Sequence, residues 1–225
     1  MSNVVVAENH LTYGGVKYFR GGAQVIELLS SGEKRTPVFG ENYLEPKDNI
    51  PAGHVKVSKS KVIQIDYGST EKSAIGAAVA AIVHGVPVKF SGDDVWTKTK
   101  SGELRVVLFS VKTTDLVDAV NRSPQAMANL VEWGGNARAV HQAFFVVDGA
   151  TASHFDNDAA VSLSAGAGGL QATVGGTSSS SGGTTLVLPT GCCYAYLLAE
   201  FEWNAHQKKN ITRAVDANDD QWSFG

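Results

Sequence analysis

Residues 161–189, VSLSAGAGGLQATVGGTSSSSGGTTLVLP, alternate apolar with small or polar side chains on both sides of a tip made only of Gly, Ser and Thr. A repeat of two is the signature of a strand with unlike faces. Val161, Leu163, Ala165 and Ala167 fall on one face, with Ser162, Ser164 and Gly166 opposite. After Gly168-Gly169 the parity moves to Leu170, Ala172 and Val174, which predicts a β-bulge. Leu186 and Leu188 continue the pattern on the returning strand, and the tip from Gly175 to Thr185 carries no charge and no large apolar group. The chain must therefore build sheet from strands joined by something that cannot pack into a core.

The rest of the chain extends this reading. HVKVSKSKVIQIDYG (54–68) sets Val55, Val57, Ile63 and Ile65 against Lys56, Ser58, Gln64 and Asp66, a half-buried strand. AQVIELL (23–29) and TPVFGENYL (36–44) flank SSGEKR, the pattern of a hairpin with a charged turn, and EPKDNIPAG reads as a loop. A short helix and a loop both fit residues 1–22, which end in GGVKYFRGG. In SAIGAAVAAIVHGVPV (73–88), Ile75, Val79, Ile82 and Val83 have helical spacing, while Ile75, Ala77, Val79, Ala81 and Val83 make an equally apolar strand face. Periodicity leaves both open. After turns at Gly92-Asp93 and Ser101-Gly102, a strand runs from Leu104 to Val111.

A helical block follows. Thr113 or Thr114 caps a first helix holding Leu116, Val117 and Val120, and Ser123-Pro124 caps a second. Val117, Val120, Met127, Leu130 and Val131 share one face, ended by Gly134-Gly135. HQAFFVVDG (141–149) and TTLVLPTGCCYAYLLAEFEW (184–203) are strand-rich, and the chain beyond Trp203 reads as a short polar tail. No repeat or linker divides these elements, so residues 1–225 are expected to form one α+β domain, a twisted antiparallel sheet with packed helices.

Composition narrows the function classes. A net charge of -3 gives no footprint for nucleic acid. Cys192 and Cys193 are adjacent and point to opposite faces of a strand, which disfavours a mutual disulfide and suits a reducing cytoplasm. The start, MSNVVVAENH, lacks the basic and apolar regions of a signal peptide, and no apolar run reaches the ~18 residues of a membrane helix. The histidines are scattered without His-x-x-x-His or Cys-x-x-Cys spacing, the glycine runs lack the lysine of a phosphate loop, and no acid/base pair stands out. Neither an enzyme nor a metal or cofactor is expected.

A different class fits the opening stretch. In a bilayer every backbone polar group must be paired, and a strand crosses with only about 9–11 residues. An alternating hairpin can cross if its neighbours close it into a barrel, and an uncharged Ser/Gly tip passes hydrocarbon at modest cost. Residues 73–111 supply a comparable pair, with the charges between Gly92 and Lys100 left to water.

The order of features resembles the pore-forming domain of the gasdermins. LVLPTGCCYAYLLAEFEW is similar to that family's strand closing its second membrane hairpin, with Pro189, Gly191, Ala195 and Tyr196 at matching positions. NYLEPKD, with Leu44, Glu45 and Pro46, resembles the segment after its first hairpin. LRVVLFSVKTTDLVDAVNRSPQAMANLVEWGGNARAVHQAFFVV repeats its strand, helix, proline-started helix, Gly-Asn turn and strand. The likeness spans about residues 23–203, and because the chain stops shortly after Trp203 it resembles the short forms without a repressor domain, those of filamentous fungi or early-branching animals. Glu33, Lys34 and Arg35 stand where the family carries an aromatic anchor, and only Arg138 represents the basic residues after its proline-started helix.

The resemblance implies a protein that is cytoplasmic when soluble and permeabilises the plasma membrane in regulated lytic cell death. It implies acidic phospholipids as ligands and a homo-oligomer, or a hetero-oligomer with a homologous variant. Segments of about 73–111 and 144–190 would extend into the hairpins of an oligomeric β-barrel. Lys17, Arg20, Lys34, Arg35 and Arg138 are the candidate lipid-binding residues. Ile75, Val79, Val83, Leu104, Val106, Leu108, Val161, Leu163, Leu170, Val174, Leu186 and Leu188 are the candidate hairpin residues, and Cys192 and Cys193 a candidate redox control. The alternative is a soluble β-rich binding or assembly module whose Ser/Gly loop is only a flexible tip.

Overall fold

The computed structural model describes residues 4–7, 10–36, 42–53, 55–66, 103–146, 161–166, 169–174, 184–188, 193–204 and 210–217. Two strands organise it: β9 (Ala137–Val146) and β13 (Cys193–Trp203), antiparallel neighbours with Tyr196 opposite Ala143. The two-residue repeat is missing from β9 and from Cys193 to Ala199 of β13, because both faces are covered there and almost every residue is buried.

One face of the pair meets the helices. Phe109, Val120, Leu130, Phe145 and Tyr196 share that core, and Phe109 meets Phe145 edge to face at 5.7 Å. The opposite face holds Leu11, Tyr18, Ile65, Val106, Phe144, Tyr194 and Leu197, with Tyr18 edge-on to Phe144 at 4.8 Å. Fully burying a ring such as Phe144 contributes up to about 3 kcal/mol.

Around this centre lie β1 (Val4–Val6), β2 (His10–Tyr13), β3 (Val16–Phe19), β4 (Ser30–Arg35) and β5 (Tyr43–Asn49), in the order β1-β2-β3-β13-β9-β4-β5. Val4–Val6, His10–Tyr13 and Val16–Phe19 are thus strands, neither the short helix nor the loop. Gly14 and Gly15, at φ 60° and 84°, form the left-handed two-residue turn that joins β2 to β3. SSGEKR is β4 itself and no turn, and residues 43–49 pair with it as β5 rather than forming a loop. Pro46 is tolerated because β5 is an edge strand.

The half-buried strand of 54–68 is broken into β6 (Val57–Lys59) and β7 (Ile63–Asp66), both on β8 (Glu103–Val111). At the break, Ser60 accepts the Leu108 N–H on its Oγ at 2.9 Å and donates its own N–H to the Leu108 carbonyl at 2.8 Å. β8 in turn pairs with β9, with Val106 opposite Val146.

The helices are α1 (Thr113–Arg122) and α2 (Pro124–Trp133). Ser123 caps α2 as expected, its Oγ accepting the Ala126 N–H at 3.2 Å. Lys112, not a threonine, precedes α1, with no side-chain cap. The buried face of α2 is Ala126, Leu130 and Trp133, while Val131 is exposed and Met127 only partly buried. Residues beyond Trp203 are more than a polar tail: β14 (Ile211–Asp216) pairs with the second half of β13. The expected α+β class, antiparallel sheet with packed helices, is what these elements build.

Residues 161–188 form a separate sheet of three strands, β10 (Val161–Gly166), β11 (Gly169–Val174) and β12 (Thr184–Leu188). The parity change at Gly168-Gly169 is therefore a chain reversal, with Gly166 paired to Gly169, and not a bulge.

Candidate functional site

Four neighbouring strands end together. Asp66 closes β7 opposite Glu103 at the start of β8, Val146 closes β9 opposite Val106, and Cys193 opens β13 opposite Phe145. The chain between β7 and β8, and that between β9 and β13, both leave and re-enter this one end of the sheet. Each connects adjacent antiparallel strands.

Of the candidate residues in the first excursion, Ile75, Val79 and Val83 lie outside the described residues. At its base, Leu104 is opposite Ile65 and Val106 opposite Ile63. Ile65 and Val106 are buried, with Ile63 and Leu108 packed against the same core. Ile63 and Ile65 thus make the apolar face of β7.

The second excursion contains the three-stranded sheet. Its register sets Val161, Val174 and Thr184 side by side, then Leu163, Ala172 and Leu186, then Ala165, Leu170 and Leu188. Ser162, Thr173 and Thr185 align on the alternate positions, as do Ser164, Gln171 and Val187. The candidate positions Val161, Leu163, Leu170, Val174, Leu186 and Leu188 consequently share one face of one sheet.

The candidate cations separate. Lys17 on β3 is exposed. Lys34 and Arg35 lie on β4, where Arg35 is held by Glu45 and, at 2.8 Å, by Glu33, which also meets Lys47 at 2.6 Å. Hydrogen bonding to Glu45 holds the Arg35 guanidinium above its ordinary range, and that from Lys47 holds the Glu33 carboxyl below its own. Arg20 is inside the fold, 7% exposed, donating to the Ala7 carbonyl and lying 4.9 Å from the centre of the Tyr194 ring. Arg138 is 3% exposed, donating to the Gly135 and Ala137 carbonyls at 2.9 Å and meeting Glu200 at 3.3 Å. Arg20 and Arg138 brace the fold and do not present their charge to solvent.

Cys193 is fully buried with its Sγ 3.6 Å from the Ala195 carbonyl oxygen, and Cys192 lies outside the described residues. Among the described residues no group of three His, Cys, Asp or Glu could hold a metal ion, and no helix is long and apolar enough to cross a membrane.

Two features escaped the sequence reading. With Arg35 opposite Tyr43, the connection between β4 and β5 is residues 36–42, so the first hairpin's tip includes Val38 and Phe39 rather than Glu33 to Arg35. The signal was present in the alternation of Glu33 and Arg35, which pair across the strands with Glu45 and Lys47. The other is His141, buried at the meeting of β8, β9 and β14, which no local pattern marks.

No family model, curated protein or solved structure matches the chain.

Proposed function

We propose that the protein is a membrane pore former that binds acidic lipid, oligomerises and inserts two β-hairpins per subunit. What carries the reading is the shared origin of the two excursions at one end of β7, β8, β9 and β13. Extended in place, they give four contiguous strands per subunit, which neighbouring subunits continue edge to edge. Closure into a barrel leaves no backbone group unpaired in lipid.

The register of β7 and β8, carried forward, places the first tip at His84-Gly85 and sets Ile75, Ala77, Val79, Ala81 and Val83 on the same face as Val86, Val88 and Phe90. The register of β10 and β11, carried back to Phe145, reaches residue 190, three short of its partner Cys193. A second hairpin with its tip at Ala167-Gly168 thus needs only a small adjustment at its base. Half of either excursion exceeds the about 9–11 residues a crossing strand requires. Lys17, Lys34 and Arg35 attract acidic headgroups.

Dye release from liposomes tests this. Wild-type protein should release dye from vesicles containing acidic lipid and not from neutral ones. Leu163→Asp places a carboxylate on the apolar face and should reduce release at least tenfold, an Asp in hydrocarbon costing roughly 2.5–3.5 kcal/mol. Ser164→Asp, on the alternate face, should leave it within about twofold. Equal release from both variants would count against the hairpin. A second reading, an assembly module, is favoured by the three-stranded sheet being formed already. It predicts no release at all and self-association sensitive to the same Leu163→Asp change.

A further inference from the structure

His141 is the extra residue of a β-bulge. Leu197 pairs with Gln142 and Leu198 with Val140, so β9 spends one residue more than β13 there. The bulge lies where β8 stops pairing with β9, at Gln142, and β4 begins, at Ala139. The ring is 2% exposed. Its Nδ1 is 3.3 Å from the carbonyl oxygen of Val111, the last residue of β8 before α1. Its Nε2 is 3.1 Å from Oδ1 of Asp216, at the end of β14, an ion-pair distance without the alignment of a good hydrogen bond. The two acceptors belong to different elements: Val111 ends β8, with Lys112 between it and α1, and Asp216 ends β14. α1 and β14 form the walls of one groove of about 560 Å³, lined by Thr113, Thr114, Val117 and Asp118 on the first and residues 212–216 on the second.

A neutral imidazole carries one N–H. Whichever nitrogen bears it, the other turns a lone pair on a carbonyl or a carboxylate, and the two acceptors repel. Only the imidazolium serves both. We infer that His141 is a proton-operated latch: charged, it ties β14 and the end of β8 ahead of α1 to the centre of the sheet, and losing its proton loosens both.

The surrounding groups leave this control to the ring. From β3, Tyr18 donates to Gln142 at 2.8 Å, and burial, then Asp216, pushes its hydroxyl up to about 12. From α1 comes Asp118, from β14 Arg213, and Lys112 follows Val111; on β13, Glu200 is engaged by Arg138. Imidazole is the side chain whose charge changes near neutrality. Asp216 is held below the usual carboxylate range by the His141 ring beside it. Its stabilising share is therefore complete above the ordinary carboxyl range and is lost only as pH falls through the lowered value.

The latch stands apart from the membrane reading and is tested in the full-length protein without lipid. Hydrogen exchange of peptides covering 211–217, corrected for intrinsic rates, is compared at about pH 6 and about pH 8. Protection should fall at least about tenfold at the higher pH, the worth of a hydrogen bond to a charged group. Peptides from β9 should hold their protection. Asp216→Asn can both donate and accept, so it satisfies a neutral ring, and with it the pH dependence should disappear. His141→Gln should abolish it as well; if that variant fails to fold, Asp216→Asn carries the test because its side chain is 39% exposed. Wild-type protection equal at both pH values, or a pH dependence retained in Asp216→Asn, would overturn the latch.

Discussion

Tyr196 shows how one hydroxyl joins three parts of the chain. It donates to the Gly21 carbonyl at 2.7 Å and accepts the Leu44 N–H at 3.1 Å, while its ring stacks on Phe19 at 5.4 Å. The turn after β3, the start of β5 and the middle of β13 are thereby fixed to one atom. Tyr196→Phe keeps the stacking and leaves two backbone groups without that partner. It should cost about 2 kcal/mol, read as a lower urea midpoint at unchanged slope. A change under about 0.5 kcal/mol would mean water replaces the hydroxyl, and the three segments are held by packing alone.

At the scale of elements, β4 and β5 meet at a bulge between Ser31 and Gly32. A Cβ on Gly32 would lie 1.9 Å from the Glu45 carbonyl oxygen, so only glycine lets the strands close. Gly32→Ala should destabilise by about 3 kcal/mol, whereas Gly53→Ala, with open space around it, should stay within about 0.5 kcal/mol. Thermal or urea unfolding of both variants checks the contrast. This bulge also explains where sequence reading stopped. Ser123-Pro124 was legible because a cap acts over three residues, and Leu104 to Val111 because a strand face repeats. SSGEKR looked like a turn since the pairing that marks it as a strand runs to distant residues, Glu45 and Lys47. His141 was illegible for the same reason: its partners are Val111 and Asp216, far along the chain. Gly168-Gly169 misled differently, because a bulge and a reversal shift parity alike; only the pairing of Gly166 with Gly169 separates them.

For the whole molecule, the two sheets must change their relation if the second excursion is to become a hairpin. Two rearrangements are available, and they break different ladders. With the tip at Ala167-Gly168, β10 and β11 stay paired and β12 must leave β11 to extend the second leg. With the tip in the Ser/Gly/Thr segment, β11 and β12 stay paired and β10 must swing away. Ser162 is directly opposite Thr173, and Thr173 directly opposite Thr185. Facing positions of an antiparallel pair lie about 4.5–5.5 Å apart at Cα, within disulfide reach. The near-continuity of the β10/β11 register with that of β9 and β13 favours the first rearrangement. The Thr173→Cys/Thr185→Cys lock should therefore stop dye release when oxidised and restore it on reduction, while the Ser162→Cys/Thr173→Cys lock leaves release unchanged. The opposite result would move the tip into the Ser/Gly/Thr segment. Release indifferent to both locks would show that this sheet enters no membrane as a hairpin, and that its apolar face serves contact between proteins.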